Sequence, residues 1–233
     1  MMIANPSAER VCDEHEIYEA LLPLTGAHVL ELGCGKAEKT RAIAQKVNSI
    51  LALEVDEIQH GRNVQVTDLP NVSFELGGAQ EIPADDASFD LVFMFKSLHH
   101  VPMAAMDDAL YEIRRVLKPG GLAYISEPVF AGEFNEILRL FHDEQKVREA
   151  AFAAVQRAVG AGRFELAGQH FFGTPSNFES FEQFEDRILR VTHTHHQLSP
   201  QLYQLVKDRF MRHVTPAGAQ FVMPIRVDLL RKV

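Results

Sequence analysis

The sequence predicts an α/β fold: a doubly wound, mostly parallel sheet with a helical cap inserted after the fifth strand and an antiparallel strand near the C-terminus. Three observations carry this. Short apolar runs rich in β-branched residues alternate with longer amphipathic stretches between residues 28 and 127. Several of the runs are almost continuously apolar, as in strands covered on both faces. Glycines stand directly after the first run and directly before a helical pattern. Repeated strand-helix order with right-handed crossovers puts helices on both faces of a parallel sheet.

His28–Leu32 reads as a buried strand ending at Gly33, and Lys39–Val47 then carries Ala42, Ile43 and Val47 at helical spacing. Ser49–Glu54 is a second strand, 57–66 suits a helix, Val72–Leu76 is a third strand and Phe89–Phe95 a fourth. Ala104–Leu117 places Ala105, Ala109, Leu110, Ile113 and Val116 near one helical face, and Lys118-Pro-Gly-Gly121 stops it before a fifth strand, Leu122–Ser126. From Glu133 to about Gly160 the chain turns helical and Ala-rich, and the next strand candidates are 191–198 and 219–229. The expectation is one domain, 1–233, with a helical cap over 128–190. The final run, Ala219–Leu230, is expected to join the end of the sheet as a hairpin, with Pro224 confined to an edge or a bulge.

The chain has 233 residues, 23 Lys and Arg against 32 Asp and Glu, and a formal charge of −9. One large core with a small lid fits that length. An acidic chain without a basic run lacks the footprint of a phosphate-backbone binder, so the expected partner is a small molecule rather than nucleic acid. Two cysteines, Cys12 and Cys34, cannot build a disulfide framework, and the first residues show neither a basic nor an apolar leader pattern. A reducing, cytoplasmic setting is expected. No apolar stretch approaches the ~20 residues that cross a bilayer.

The strongest local feature is Val29-Leu-Glu-Leu-Gly-Cys-Gly-Lys-Ala37, a strand, glycine turn and helix start of the kind that forms a crevice for adenosine-bearing ligands. A dinucleotide fingerprint fails, because its third glycine would fall at Glu38, whose carboxylate opposes a pyrophosphate. With Glu31, Gly33, Gly35 and Ala37 as its first motif, the chain resembles the class I S-adenosylmethionine-dependent methyltransferases of small molecules, which are Rossmann-like; alanine replaces the usual third glycine. The resemblance continues through Leu51-Ala-Leu-Glu-Val-Asp56, through Gly77-Gly-Ala-Gln-Glu-Ile-Pro83 with Ser88-Phe-Asp90, and through Met94-Phe-Lys-Ser-Leu-His-His-Val101 to Leu117-Lys-Pro-Gly-Gly121. It covers about residues 28–127.

This resemblance implies S-adenosylmethionine as cofactor, with Gly33, Cys34 and Gly35 along its methionine part and Glu31 orienting its ammonium. Glu54, 23 residues after Glu31, is the expected acceptor for the ribose hydroxyls, beside Val55; Asp56 is the competing carboxylate. Gly78 stands where the family usually has Asp, so adenine contacts pass to Ala79 and Gln80. Phe95 and Lys96 border the cofactor, the Lys96 amine turned to solvent, and Asp90 is structural. His99 and His100 are the candidate general bases, one of them expected to be structural only. Two other readings stay open: a non-catalytic S-adenosylmethionine-binding partner protein, and an enzyme of the same fold using another adenosine ligand. His193 and His195 share one face of a predicted strand, but no third ligand accompanies them, so no metal is expected. Phe171, Phe172, Phe178, Phe181 and Phe184 serve either as acceptor-pocket lining or as ordinary core.

Overall fold

The strands expected between residues 28 and 127 lie side by side in one eight-stranded sheet. It is seen in a computed structural model that describes residues 1–5, 10–190 and 198–233. In chain order the strands are β1 (His28–Leu32), β2 (Ser49–Glu54), β3 (Val72–Leu76), β4 (Phe89–Phe95), β5 (Leu117–Pro128), β6 (Phe164–Phe178), β7 (Val214–Thr215) and β8 (Gly218–Lys232). The helices are α1 (Glu14–Leu21), α2 (Glu38–Ala44), α3 (Glu57–Asn63), α4 (Met106–Val116), α5 (Glu133–Leu138), α6 (Gln145–Gly160), α7 (Phe181–Phe184) and α8 (Pro200–Met211).

The strand order is β3-β2-β1-β4-β5-β8-β6, with β7 paired to β8. β1 to β5 run parallel, and β8 is antiparallel to both β5 and β6. The order reverses between β1 and β4, which opens the crevice where doubly wound sheets bind ligands. Two apolar layers cover the sheet. One joins α4 and α6 to Leu30, Val92 and Ile125; the other joins α1 and α2 to Val29, Phe93 and Tyr124. This alternation of Val29 with Leu30 and of Val92 with Phe93 is the reason these strands are apolar throughout. Asp90, expected to be a buried structural carboxylate, is only partly buried; it accepts from the His28 N–H at 2.8 Å and pairs with Lys118 Nζ at 2.8 Å.

The sequence reading changes in the second half. Helices α5 and α6 form as predicted, but 164–178 is a fifteen-residue edge strand rather than part of a helical cap. β8 does not sit at the end of the sheet; it lies between β5 and β6. Pro224 is therefore in an interior strand. It is tolerated because β5 stops at Pro128, opposite Ile225, and the Pro224 carbonyl accepts from the Val129 N–H at 2.9 Å just beyond. Phe178, Phe181 and Phe184 pack with Phe134, Phe210 and Phe221 into a separate core of the cap, and Phe172 lies under α1. They are core, not pocket lining. His193 and His195, and most of the strand predicted over 191–198, lie outside the described residues.

Candidate cofactor and acceptor site

After β1 the chain crosses the end of β2, where the Gly33 and Cys34 N–H groups both donate to the Leu53 carbonyl at 2.9 and 3.0 Å. Gly33 has φ +78°, and a Cβ there would stand 2.9 Å from the Ser97 Cβ, so the close approach of the chain after β4 requires glycine. Ala37 takes the left-handed conformation, φ +59°, at the position where the family's third glycine stands. The space above Gly35 is open: a Cβ there would meet nothing within 4 Å.

Glu54, buried at the end of β2, holds this loop. Its Oε2 accepts from the Gly35 N–H at 2.8 Å, and its Oε1 accepts from the Val55 and Asp56 N–H groups, both at 2.9 Å. A carboxylate offers about four acceptor positions, so capacity remains for one more donor. Asp56 is employed elsewhere: its Oδ1 caps α3 by accepting from the Ile58 and Gln59 N–H groups at 2.8 and 3.1 Å. The two carboxylates the sequence left in competition are thus separated, Glu54 in the crevice and Asp56 at a helix start. Asn63 braces the loop from α3, donating to the Gly35 carbonyl at 2.8 Å and to Cys34 Sγ at 3.4 Å. Burial, with Glu31 and Glu54 nearby, pushes the Cys34 thiol up to about 12, so it stays protonated.

Glu31 is 2% exposed on β1, and its Oε2 has no hydrogen-bond partner among the described residues. Burial pushes its carboxyl up to about 7; Thr40 and Lys39 oppose the rise and Glu54 adds to it. A buried carboxylate short of a partner, beside an open glycine cradle, fits a ligand carrying an ammonium group. The same face carries Phe93, Phe95, Tyr18 and Tyr124, with ring centroids 5.1–6.3 Å apart. Over them lies Glu14 of α1, buried, with Lys96 Nζ at 3.6 Å and Lys39 Nζ at 3.8 Å. Lys96 accordingly turns toward α1 rather than to solvent, from a left-handed backbone with φ +54°.

Beyond β3, Ala79 is buried in the core. The Gln80 carboxamide folds back over Gly78, with Oε1 2.7 Å from where a Gly78 Cβ would stand. It thus fills the space that the family's usual side chain would take. Val55, 66% exposed, presents apolar surface next to Glu54.

Beyond β4, Leu98–His100 forms a short 3-10 turn that separates the two histidines. His99 is buried, and its Nδ1 donates to Glu127 Oε2 at 2.5 Å; Glu127, at the end of β5, also accepts from the Leu98 N–H at 3.0 Å. His100 is exposed, its ring centroid 4.1 Å from that of His99. Partial desolvation and the neighbouring His99 lower its pKa. Glu144, just before α6, comes within 3.6 Å of His99 Nε2, accepts from Arg148 Nη2 at 2.6 Å and pairs with His142 Nε2 at 2.9 Å. Although burial works against it, His99, Arg148 and His142 hold Glu144 below the usual carboxylate range.

The residues named from sequence lie at or just beyond the carboxyl ends of β1, β2, β3 and β4. Sequence reasoning missed Glu14, Asn63, Glu127 and Glu144, each supplied by an element outside the motifs. Only Asp56-Glu-Ile-Gln59, with the pattern of a helix start, carried a local signal that Asp56 was committed elsewhere.

Comparison with known proteins agrees with this geometry. Residues 29–121 match the methyltransferase domain family. The methyltransferase GfsG of Streptomyces halstedii is 29% identical over 136 residues, 56% of this chain and 48% of its own. A probable S-adenosylmethionine-dependent methyltransferase of Mycolicibacterium smegmatis is 31% identical over 163 residues, 62% of this chain and 60% of its own. The chain thus spans about half the length of the curated relatives it matches. The crystal structure of a putative methyltransferase from Bacillus halodurans superposes with a TM-score of 0.66 at 18% identity, covering 94% of this chain and 98% of the other. YcgJ of Bacillus subtilis gives 0.66 at 16%, covering 94% and 97%. These structures share the fold. Residues 29–121 thus match a methyltransferase domain, and over part of its length the chain is similar to S-adenosylmethionine-dependent methyltransferases.

Proposed function

We propose that this protein transfers a methyl group from S-adenosylmethionine to a small-molecule acceptor. The observation that carries the reading is Glu31, a buried carboxylate with an unpartnered oxygen at the reversal point of the sheet, beside the open Gly35 cradle. In this reading Glu31 pairs with the cofactor's ammonium, and the Gly33–Gly35 backbone lies along the methionine part. The remaining acceptor capacity of Glu54 takes a ribose hydroxyl, while Val55, Ala79 and Gln80 flank the adenine. When bound, the cofactor supplies an electrophilic methyl group on a sulfonium.

The chain's own work is to position the acceptor and keep water out. In this reading Phe95 and the Lys96 backbone border the cofactor at the end of β4, with the Lys96 amine held toward Glu14. Where the acceptor is a neutral hydroxyl, its proton passes to an imidazole: His100 is exposed and accessible, and His99, held by Glu127, is the positioning partner. An acidic surface and the free cysteines Cys12 and Cys34 support a small acceptor and a reducing, cytoplasmic setting over nucleic acid or an oxidising compartment. Among the described residues no helix is long and apolar enough to cross a membrane.

The test is incubation of the purified protein with methyl-labelled S-adenosylmethionine and fractionated metabolite extracts. Label entering a small-molecule fraction with the unaltered protein, and strongly reduced with Glu31→Ala, is the expected result. Binding of the cofactor without transfer to any fraction would favour the non-catalytic binding protein instead.

A further inference from the structure

The proposed reaction does not explain the arrangement of charge around His99. His99 Nδ1 donates to Glu127 Oε2 at 2.5 Å, which leaves Nε2 facing Glu144 Oε1 at 3.6 Å. That separation is longer than a hydrogen bond, and Glu144 Oε1 has His142 Nε2 at 2.9 Å as its closer contact. A proton on His99 Nε2 would draw it and Glu144 Oε1 to the ~2.7–2.9 Å of a charge-assisted hydrogen bond. Two ligands of a single tetrahedral cation, with bonds of about 2.0–2.1 Å, stand about 3.4 Å apart, close to the separation seen.

A third ligand is at hand. One nitrogen of His100 joins His99 Nε2 and a Glu144 oxygen in a group whose atoms all lie within 4.8 Å of one another. The outer shell is also built. Glu127 fixes the tautomer of His99, and Arg148 and His142 orient the Glu144 carboxylate from two sides. Metal-binding histidines and carboxylates are held in this manner by their second neighbours. The ligand set, two imidazoles and one carboxylate, is that of a divalent transition metal of the zinc class with a coordination position left open.

We infer that His99, His100 and Glu144 form a divalent metal site of the Zn2+ type just beyond the end of β4, with Glu127, Arg148 and His142 as its outer shell. His100 is exposed, so the open position lies on the solvent side and takes an oxygen ligand. If the proposed methyl transfer holds, that ligand is the acceptor's hydroxyl or carboxylate oxygen. The inference rests on that reading for the ligand's identity and replaces its imidazole base: with its nitrogen on the metal His100 takes no proton, and the metal instead lowers the pKa of a bound hydroxyl, while metal binding itself does not depend on methyl transfer.

The experiment is titration of Zn2+ and Co2+ into the chelator-treated full chain without cofactor, followed by calorimetry, by the visible spectrum of Co2+ and by Tm. One ion per chain, a tetrahedral Co2+ spectrum and a rise in Tm are expected. Glu144→Gln and His100→Ala should each weaken binding by about tenfold or more, and Glu127→Gln by about 10–100-fold. Circular dichroism of the metal-free variants checks that they remain folded, and the near-isosteric Glu144→Gln is decisive if another variant does not. The double variant His193→Ala with His195→Ala tests the other histidine pair and should bind like the parent. Absence of stoichiometric binding, binding indifferent to Glu144→Gln, or loss only in the His193/His195 variant would overturn the site. Since no cofactor is present, such a result leaves the methyl-transfer reading standing.

Discussion

Replacing Glu31 with Gln should stabilise the folded chain at alkaline pH while weakening the cofactor site. Burial raises the Glu31 carboxyl from its ordinary 4.5 to about 7, and that difference corresponds to about 3 kcal/mol. The sign follows from proton counts. Below pH 4.5 the carboxyl is protonated in both folded and unfolded chains and costs nothing. As pH rises toward 7 the unfolded chain releases its proton while the folded chain keeps it, so stability falls, and above 7 the full penalty is present. Gln retains the shape without the charge. Urea unfolding at pH 5 and pH 8 should therefore show the parent losing roughly 2–3 kcal/mol relative to Glu31→Gln across that interval. Parallel stabilities at both values would refute the claim that Glu31 is a desolvated carboxyl awaiting a cationic partner.

The same linkage predicts that S-adenosylmethionine binding at pH 6 releases a proton, as the ammonium pairs with ionised Glu31. Calorimetry in two buffers of different ionisation enthalpy should give different apparent heats, and equal heats would contradict it. Glu54→Gln should weaken cofactor binding by ~1.5–3 kcal/mol, whereas Asp56→Ala should cost about 1 kcal/mol of stability through its lost cap and leave affinity intact. The reverse pattern by titration and thermal melting would return the ribose role to Asp56. Gly33→Val should lower Tm and remove cofactor binding, because φ +78° costs a branched residue at least ~1–2 kcal/mol and its Cβ would press on Ser97; a folded variant with normal affinity would dispose of the crevice geometry.

The parallel half of the sheet was legible because its strands are buried on both faces and bounded by glycine or proline turns. The signal weakens where burial does. β6 is an edge strand with mostly half-buried or exposed residues in no regular alternation, and Gly168, Gly173 and Pro175 interrupt its β pattern. β8 is broken on paper by Pro224, which becomes acceptable only because β5 ends opposite Ile225. The same division runs through the site. Glu31, Gly33, Gly35 and Glu54 could be read because the crevice is local to two strand-turn-helix units. Glu14, Glu127 and Glu144 could not, since each reaches its place by tertiary packing: Glu14 by α1 closing over Tyr124, Glu127 by the pairing of β4 with β5, and Glu144 by α6 docking beside the turn that carries His99. Lys96 was misread for a related reason. Solvent is the default for a lysine, and only the buried Glu14 opposite redirects it.

The central claim is that the crevice around Glu31 and Glu54 binds S-adenosylmethionine. Its most direct test is calorimetric titration of the unaltered chain, side by side, with S-adenosylmethionine, NAD and ATP. The account predicts one S-adenosylmethionine bound per chain, weakened by Glu31→Ala, with no saturable heat from NAD or ATP. Saturable binding of NAD or ATP with none of S-adenosylmethionine would contradict it.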